Sequence, residues 1–291
     1  MIGELAALTC ALLWAIAARI FRNLGGEFSS VALNFWKGLI SILLLIVVVQ
    51  FIPMELELSN QVIFWLALSG IIGIGIGDTF FFLALKKIGD SQSILIAETL
   101  APIGTALLAM AWIGEWLSWQ QWLGIAVVII SVDIIIKIQK RHSEQAFELT
   151  GYGYAAIAAL CQSIGAVVSR DVLLSSDIDV FHASLIRLLG GMAIILILIL
   201  IGRRTLLPKT KQQPSIWLWL LAATFIGTFM ALVLQMVAFS YTKAAVVQTL
   251  FAVSVIISLA IARMLGEKVR RNTLFWSLLA LVGVGVLLFA P

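Results

Sequence analysis

The chain has 291 residues, 62% of them hydrophobic and only 12% charged, with 19 Lys+Arg against 15 Asp+Glu for a net charge of +4. Its mean hydropathy is +1.10 and its pI about 9.2. Soluble domains carry about 25% charged residues, so this composition excludes a cytosolic enzyme, a nucleic-acid-binding domain and a disordered chain, and leaves an all-α polytopic membrane protein. A transmembrane barrel is excluded too, because its strands would alternate polar and apolar with period two.

At the N-terminus, MIGELAALTCALLWAIA carries Glu4 where a leader would be basic. It reads as a first membrane helix, not as a cleaved signal peptide. With roughly 20 apolar residues per crossing, ten spans are expected at 2–22, 29–52, 62–84, 91–113, 119–138, 150–171, 179–202, 214–240, 243–265 and 272–290. The breaks NLGGE, PMELELSN, KKIGD, GEWLS, KTKQQP and GEKVRRN hold the Gly, Pro and charge signals of turns. The longest polar stretch, near 137–151, divides the chain. The expected organisation is a first five-helix repeat at 1–138, a cytoplasmic linker at 139–149 and a second repeat at 150–291, together forming one membrane domain.

The halves match each other. Gly3 to Arg22 aligns without gaps on Gly151 to Arg170. Ala84 matches Ala238 and Gly73 matches Gly227 at one spacing, and the turns GEWLSWQQWLG and GEKVRRNTLFW match through Glu115 and Glu267. Five is odd, so the second repeat enters the membrane from the opposite side, the inverted architecture common in secondary transporters. Lys and Arg concentrate in the loops after odd-numbered spans, while loops after even-numbered spans hold only Arg170 and Lys243. That bias places the odd loops in the cytoplasm and both termini outside it.

Ten helices in two repeats, ALKKIGDSQS before a TLAP helix, GEWLSWQQWLGIAVVIISV, and then AFSYTKAAVVQTL, LGEKV and LLALVGVGVLL resemble the EamA-type transporters of the drug/metabolite transporter superfamily. The resemblance spans nearly the whole chain. It implies an exporter or permease for small, amino-acid-like metabolites in a bacterial-type inner membrane. It also implies a central cavity lined by spans 1, 3, 4, 6, 8 and 9, with spans 5 and 10 peripheral. Pro102 in span 4 has no counterpart in span 9, where Ala252 or Ile256 stands, so a symmetric hinge is not expected.

Asp78 and Glu98 are the leading candidates, since carboxylates inside apolar spans are expensive and mark function by default. Each lies ten residues from Ile88 in the KKIGD turn, so antiparallel neighbours put them at similar depth. Such a pair suits proton coupling; a helix-packing hydrogen bond is the alternative. Gln248, Gln235 and Gln162 are candidates for the second half's polar wall, against simple interhelical hydrogen bonding. Trp14 sits mid-span opposite Gln162 in the repeat and is a candidate for stacking on substrate, against lipid or core packing. Of Phe80, Phe81 and Phe82, helical spacing lets one or two face a cavity.

Lys37 and Arg187 correspond between spans 2 and 7. Each is a weaker candidate for binding a substrate carboxylate, with snorkelling to the interface the more ordinary account. Asp133 and Lys137 read as a local i,i+4 pair, and Glu115 and Glu267 as turn residues accepting from amides at the next helix start. Most other Trp mark interfaces.

Cys10 and Cys161 lie in apolar runs and form no disulfide framework, and His142 and His182 are too far apart for metal-ligand spacing. In GIIGIGIGD the glycines alternate without a flanking strand, so Gly73 and Gly77 read as a GxxxG packing motif rather than a nucleotide loop. With no P-loop and no nucleophile–base motif, neither cofactor, metal nor enzymatic activity is expected. The expected partners are a small-molecule substrate, the lipid bilayer and protons as coupling ion, with no nucleic acid; a homodimer is left open. An intramembrane enzyme and a structural or sensory subunit are the competing classes.

Overall fold

The computed structural model describes residues 1–53, 58–140, 149–202, 206–208, 214–266 and 271–290. Among them every regular element is helical. The helices are α1 (Ile2–Leu24), α2 (Ser30–Val49), α3 (Asn60–Gly70), α4 (Gly77–Trp112), α5 (Trp119–Lys140), α6 (Leu149–Ser175) and α7 (Val180–Gly202), followed by α8 (Pro214–Thr224), α9 (Ala231–Tyr241), α10 (Ala244–Ala252), α11 (Ser254–Met264) and α12 (Arg271–Phe289). Two π-helical turns, Ile71–Ile76 and Phe225–Met230, join α3 to α4 and α8 to α9. By length and composition, nine helical stretches among the described residues can cross a membrane, and a shorter apolar helix covers Ile96–Trp112.

Sequence signals account for the helix ends. Ser29 and Ser59 cap α2 and α3, their hydroxyls accepting from the amides of Ala32 and Val62 at 3.2 and 3.3 Å. Gly114 and Gly266 take φ of +68° and +87°, a conformation costly for any residue with a Cβ. They stand at matching places in the GEWLS and GEKVRRN turns, which supports the repeat alignment. Of the linker expected at 139–149, residues 139–140 end α5 and Leu149 opens α6; 141–148 and Glu267 lie outside the described residues.

The expected boundary between spans 3 and 4 differs in detail. No coil residue separates the two spans, helical backbone being found in α4 from Gly77 to Trp112. Its neighbours on α6 nevertheless reverse. Gly77 faces Cys161 and Gly151 faces Ile88, whereas Gly104 faces Ser163 and Trp112 Nε1 donates to Asp171. Hence α4 is a hairpin of two antiparallel arms, and Asp78 and Glu98 lie at similar depth on them.

The halves interlock rather than sit side by side. First-half α1 packs on α9, α10 and α11, α4 packs on α6, and α2 and α3 pack on α7. Glycines permit the closest crossings: a Cβ on Gly70 would lie 1.7 Å from the Arg187 carbonyl oxygen. The GxxxG glycines Gly73 and Gly77 face α6 at Gly165 and Cys161, and Gly75 between them faces Ile194 of α7. α5 and α12 pack on each other through Gly124 and Gly283.

The fourth and ninth spans differ at the level of Pro102. Pro102 stays inside α4, while the ninth span breaks at Val253, between α10 and α11, one residue past the Ala252 matched to Pro102. Only the ninth span is broken at this level, in keeping with the absence of a symmetric hinge.

Candidate functional site

A central cavity enclosing, with its mouth, about 1250 Å³ opens between α1, α2, both arms of α4, α6, α7, α9 and α10 and the two π-helical turns. All eight residues singled out from sequence line it: Asp78, Glu98, Gln248, Gln235, Gln162, Trp14, Lys37 and Arg187. Neither α5 nor α12 contributes, as the resemblance implies. Spans 2 and 7, absent from that expected lining, do contribute, through Lys37 on α2 and Arg187 and Leu188 on α7.

The lining follows the repeat. Cys10 and Ala158, and Trp14 and Gln162, are each 148 residues apart, and all four face the cavity. Lys37 and Arg187, Glu98 and Gln248, and Ala101 and Phe251 are related by 150 residues. Asp78 and Leu232, and Phe81 and Gln235, are related by 154, as are Ile74 and Thr228 in the two π-helical turns. A π-bulge shifts the register of the face that follows it, so matching bulges keep the matched positions on the lining. The charges break this symmetry. Both acids belong to the first half, and their counterparts are the uncharged Leu232 and Gln248.

Polar contacts cross between elements. Lys37 Nζ lies 3.6 Å from the Asp78 carboxylate, joining α2 to α4. Arg187 is 1% exposed; its Nη1 donates to the Gln235 amide oxygen at 3.3 Å, and its charge is felt at Asp78. The snorkelling expected for these two cations is therefore corrected. The Arg187 guanidinium rests against Gly73 of the first π-helical turn and Gly165 of α6, and Lys37 turns toward an acid inside the bundle. Asp78 pairs with Lys37 and no hydrogen bond between Asp78 and Glu98 is found among the described residues, so the two acids share a cavity and a depth. Gln248 is 7% exposed, and Trp14, at 54%, sits at an open part of the wall. Phe81 faces the cavity and Phe80 packs against Tyr154. Phe82's side chain lies outside the described residues.

A second polar cluster closes one end of the bundle. Glu115 accepts from Arg170 Nε at 2.7 Å and from the Ala244 amide at 3.0 Å. Arg170 Nη1 also donates to the Phe239 carbonyl. Lys243 Nζ donates to the Trp116 carbonyl at 2.8 Å and to Gln121 at 3.0 Å. Glu115 thus does accept a helix-start amide, but that of α10 rather than of α5. These contacts tie the 4–5 turn to the 8–9 turn and to the end of α6. The expected Asp133–Lys137 pair forms at 2.6 Å on the outside of α5.

Sequence reasoning missed three lining residues with usable chemistry: Cys10, Thr228 and Phe251. A signal for each existed in the repeat, since their partners Ala158, Ile74 and Ala101 occupy the same wall. Among the described residues no group of His, Cys, Asp and Glu could hold a metal ion.

The model of the EamA-like transporter family matches residues 1–137 and 149–289, one match to each repeat. A solved structure titled "Crystal structure of protein" superposes with a TM-score of 0.83 over 99% of both chains at 18% identity, a likeness of fold. No curated protein matches the chain.

Proposed function

Because this chain belongs to the EamA-like transporter family and is an integral membrane transporter of small substrates, we propose that it exports a small metabolite by alternating access around the central cavity. The observation that supports this most is the convergence of eight polar, charged and aromatic side chains from both repeats on one cavity between interlocked halves. A packing role would not require both repeats to aim polar groups at empty space. The polar tie among Glu115, Arg170 and Lys243 fits a closed end of such a transporter.

In this reading Glu98, with Asp78 beside it at equal depth, carries the coupling proton. A carboxyl group that faces each side in turn binds a proton where it is abundant and releases it where it is scarce, and solute affinity follows the charge of the cavity. Amino-acid-like solutes suit a lining that offers both cations and carboxylates. The bundle sits in a bacterial-type inner membrane with both termini outside the cytoplasm, which puts the Glu115–Arg170 tie on the outer side.

A screen of radiolabelled amino acids and related metabolites in proteoliposomes, with and without a pH gradient, tests the proposal. Uptake of one solute class, faster with the gradient, is the expected result. No movement of any class under either condition would contradict it.

A further inference from the structure

The cavity's charges do not close among themselves. Lys37 and Asp78 satisfy each other at 3.6 Å. Arg187 makes no ion pair at contact distance among the described residues: its charge is felt at Asp78, which Lys37 already pairs, and its Nη1 donates to the neutral amide of Gln235 at 3.3 Å. Its Nε is buried and donates to nothing among the described residues. The side chain is also well fixed. A Cβ on Gly73 or Gly165 would lie 3.4 Å from Nη2, so the guanidinium rests on two bare backbone surfaces. Burying a cation without an anion in direct contact is costly, and here a fork of donors that matches planar or tetrahedral oxyanions is held at a cavity wall.

We infer that Arg187 anchors an anionic group, a carboxylate or a phosphate, on the transported solute, whose apolar part lies against Trp14, Phe81 and Phe251. This assignment rests on the cavity being the transport site. Glu98 sets its strength. The charged residues lining the cavity are Lys37 and Arg187 on one side of the balance and Asp78 and Glu98 on the other; Cys10 is the further titratable group there. With a proton on Glu98 the lining carries one excess positive charge, and without it none. Anion binding and protonation of Glu98 therefore reinforce each other, so solute and proton cross in the same direction, outward when the solute's own gradient drives export.

The test compares isosteres on the purified full-length protein by titration calorimetry. The probes are phenylacetate and phenyl phosphate, against phenylacetamide and phenylethylamine. Phenylacetate or phenyl phosphate binds at least about tenfold more tightly than the neutral and cationic probes, the scale of one charge-assisted hydrogen bond; which of the two wins separates carboxylate from phosphate. Arg187→Gln loses that preference, and Glu98→Gln strengthens anion binding. Absence of anion binding, equal binding of phenylethylamine, or weakened anion binding in Glu98→Gln overturns the inference. Should Arg187→Gln fail to fold, the probe series on the unaltered protein and the Glu98→Gln variant still decide. A cation that binds and is transported refutes the anion site and leaves the transport reading standing, whereas anion binding without any solute movement does the reverse.

Discussion

Single residues decide how polar groups survive inside this apolar bundle. Gly70 is one: its missing Cβ lets α3 lie on the backbone of α7 at Arg187. Gly70→Ala places a methyl group 1.7 Å from a carbonyl oxygen and forces the helices apart. Expression with size-exclusion chromatography should show mostly misassembled protein; a normal monodisperse yield would mean that α3 shifts freely. Trp14 is the converse case. Half exposed on the wall, it supports little packing, so Trp14→Ala should fold normally and raise KM for the transported solute roughly tenfold, the order of one stacking contact plus its buried area. An unchanged KM in the uptake assay would return Trp14 to lipid packing. Much of this residue-level picture is legible in sequence, because an acid, amide or cation within an apolar run is conspicuous. The fate of Lys37 and Arg187 is not. Whether a long side chain snorkels outward or turns inward depends on which helices surround it, and that is a tertiary fact.

At the level of elements, apolar runs and turn signals locate the spans, and Gly114 and Gly266 close equivalent turns as their matched sequences suggest. The two π-helical turns and the break at Val253 are not readable, since the same apolar composition serves regular and irregular helix alike. Glu115 shows a further limit. Its place in a turn is plain, but its partners lie 55 and 129 residues away in sequence. Glu115→Ala removes the acceptor of a buried arginine and of a helix-start amide, and should lower stability by about 1–3 kcal/mol. That loss would appear as a lower Tm in detergent, while Asp133→Ala, which breaks an outward i,i+4 pair on α5, should change Tm little. Equal effects of the two would deny the end cluster its role in tying the bundle.

For the whole molecule, the inverted repeat is the organising fact. It interlocks the halves, aims matched positions at one cavity and leaves the acids on one side of the symmetry, as expected where a symmetric scaffold has acquired a directional task. Orientation follows from Lys and Arg alone. Reporter fusions at Pro291 should report the non-cytoplasmic side; cytoplasmic accessibility would reverse the orientation without touching the fold. The central claim is that the cavity is the transport site and that Glu98 couples it to protons. It is tested most directly by solute uptake into proteoliposomes across a range of pH gradients, comparing the unaltered protein with folded Glu98→Gln. The account predicts that the variant inserts and folds yet loses the pH dependence of transport. Unchanged rate and unchanged pH dependence in that variant would contradict it.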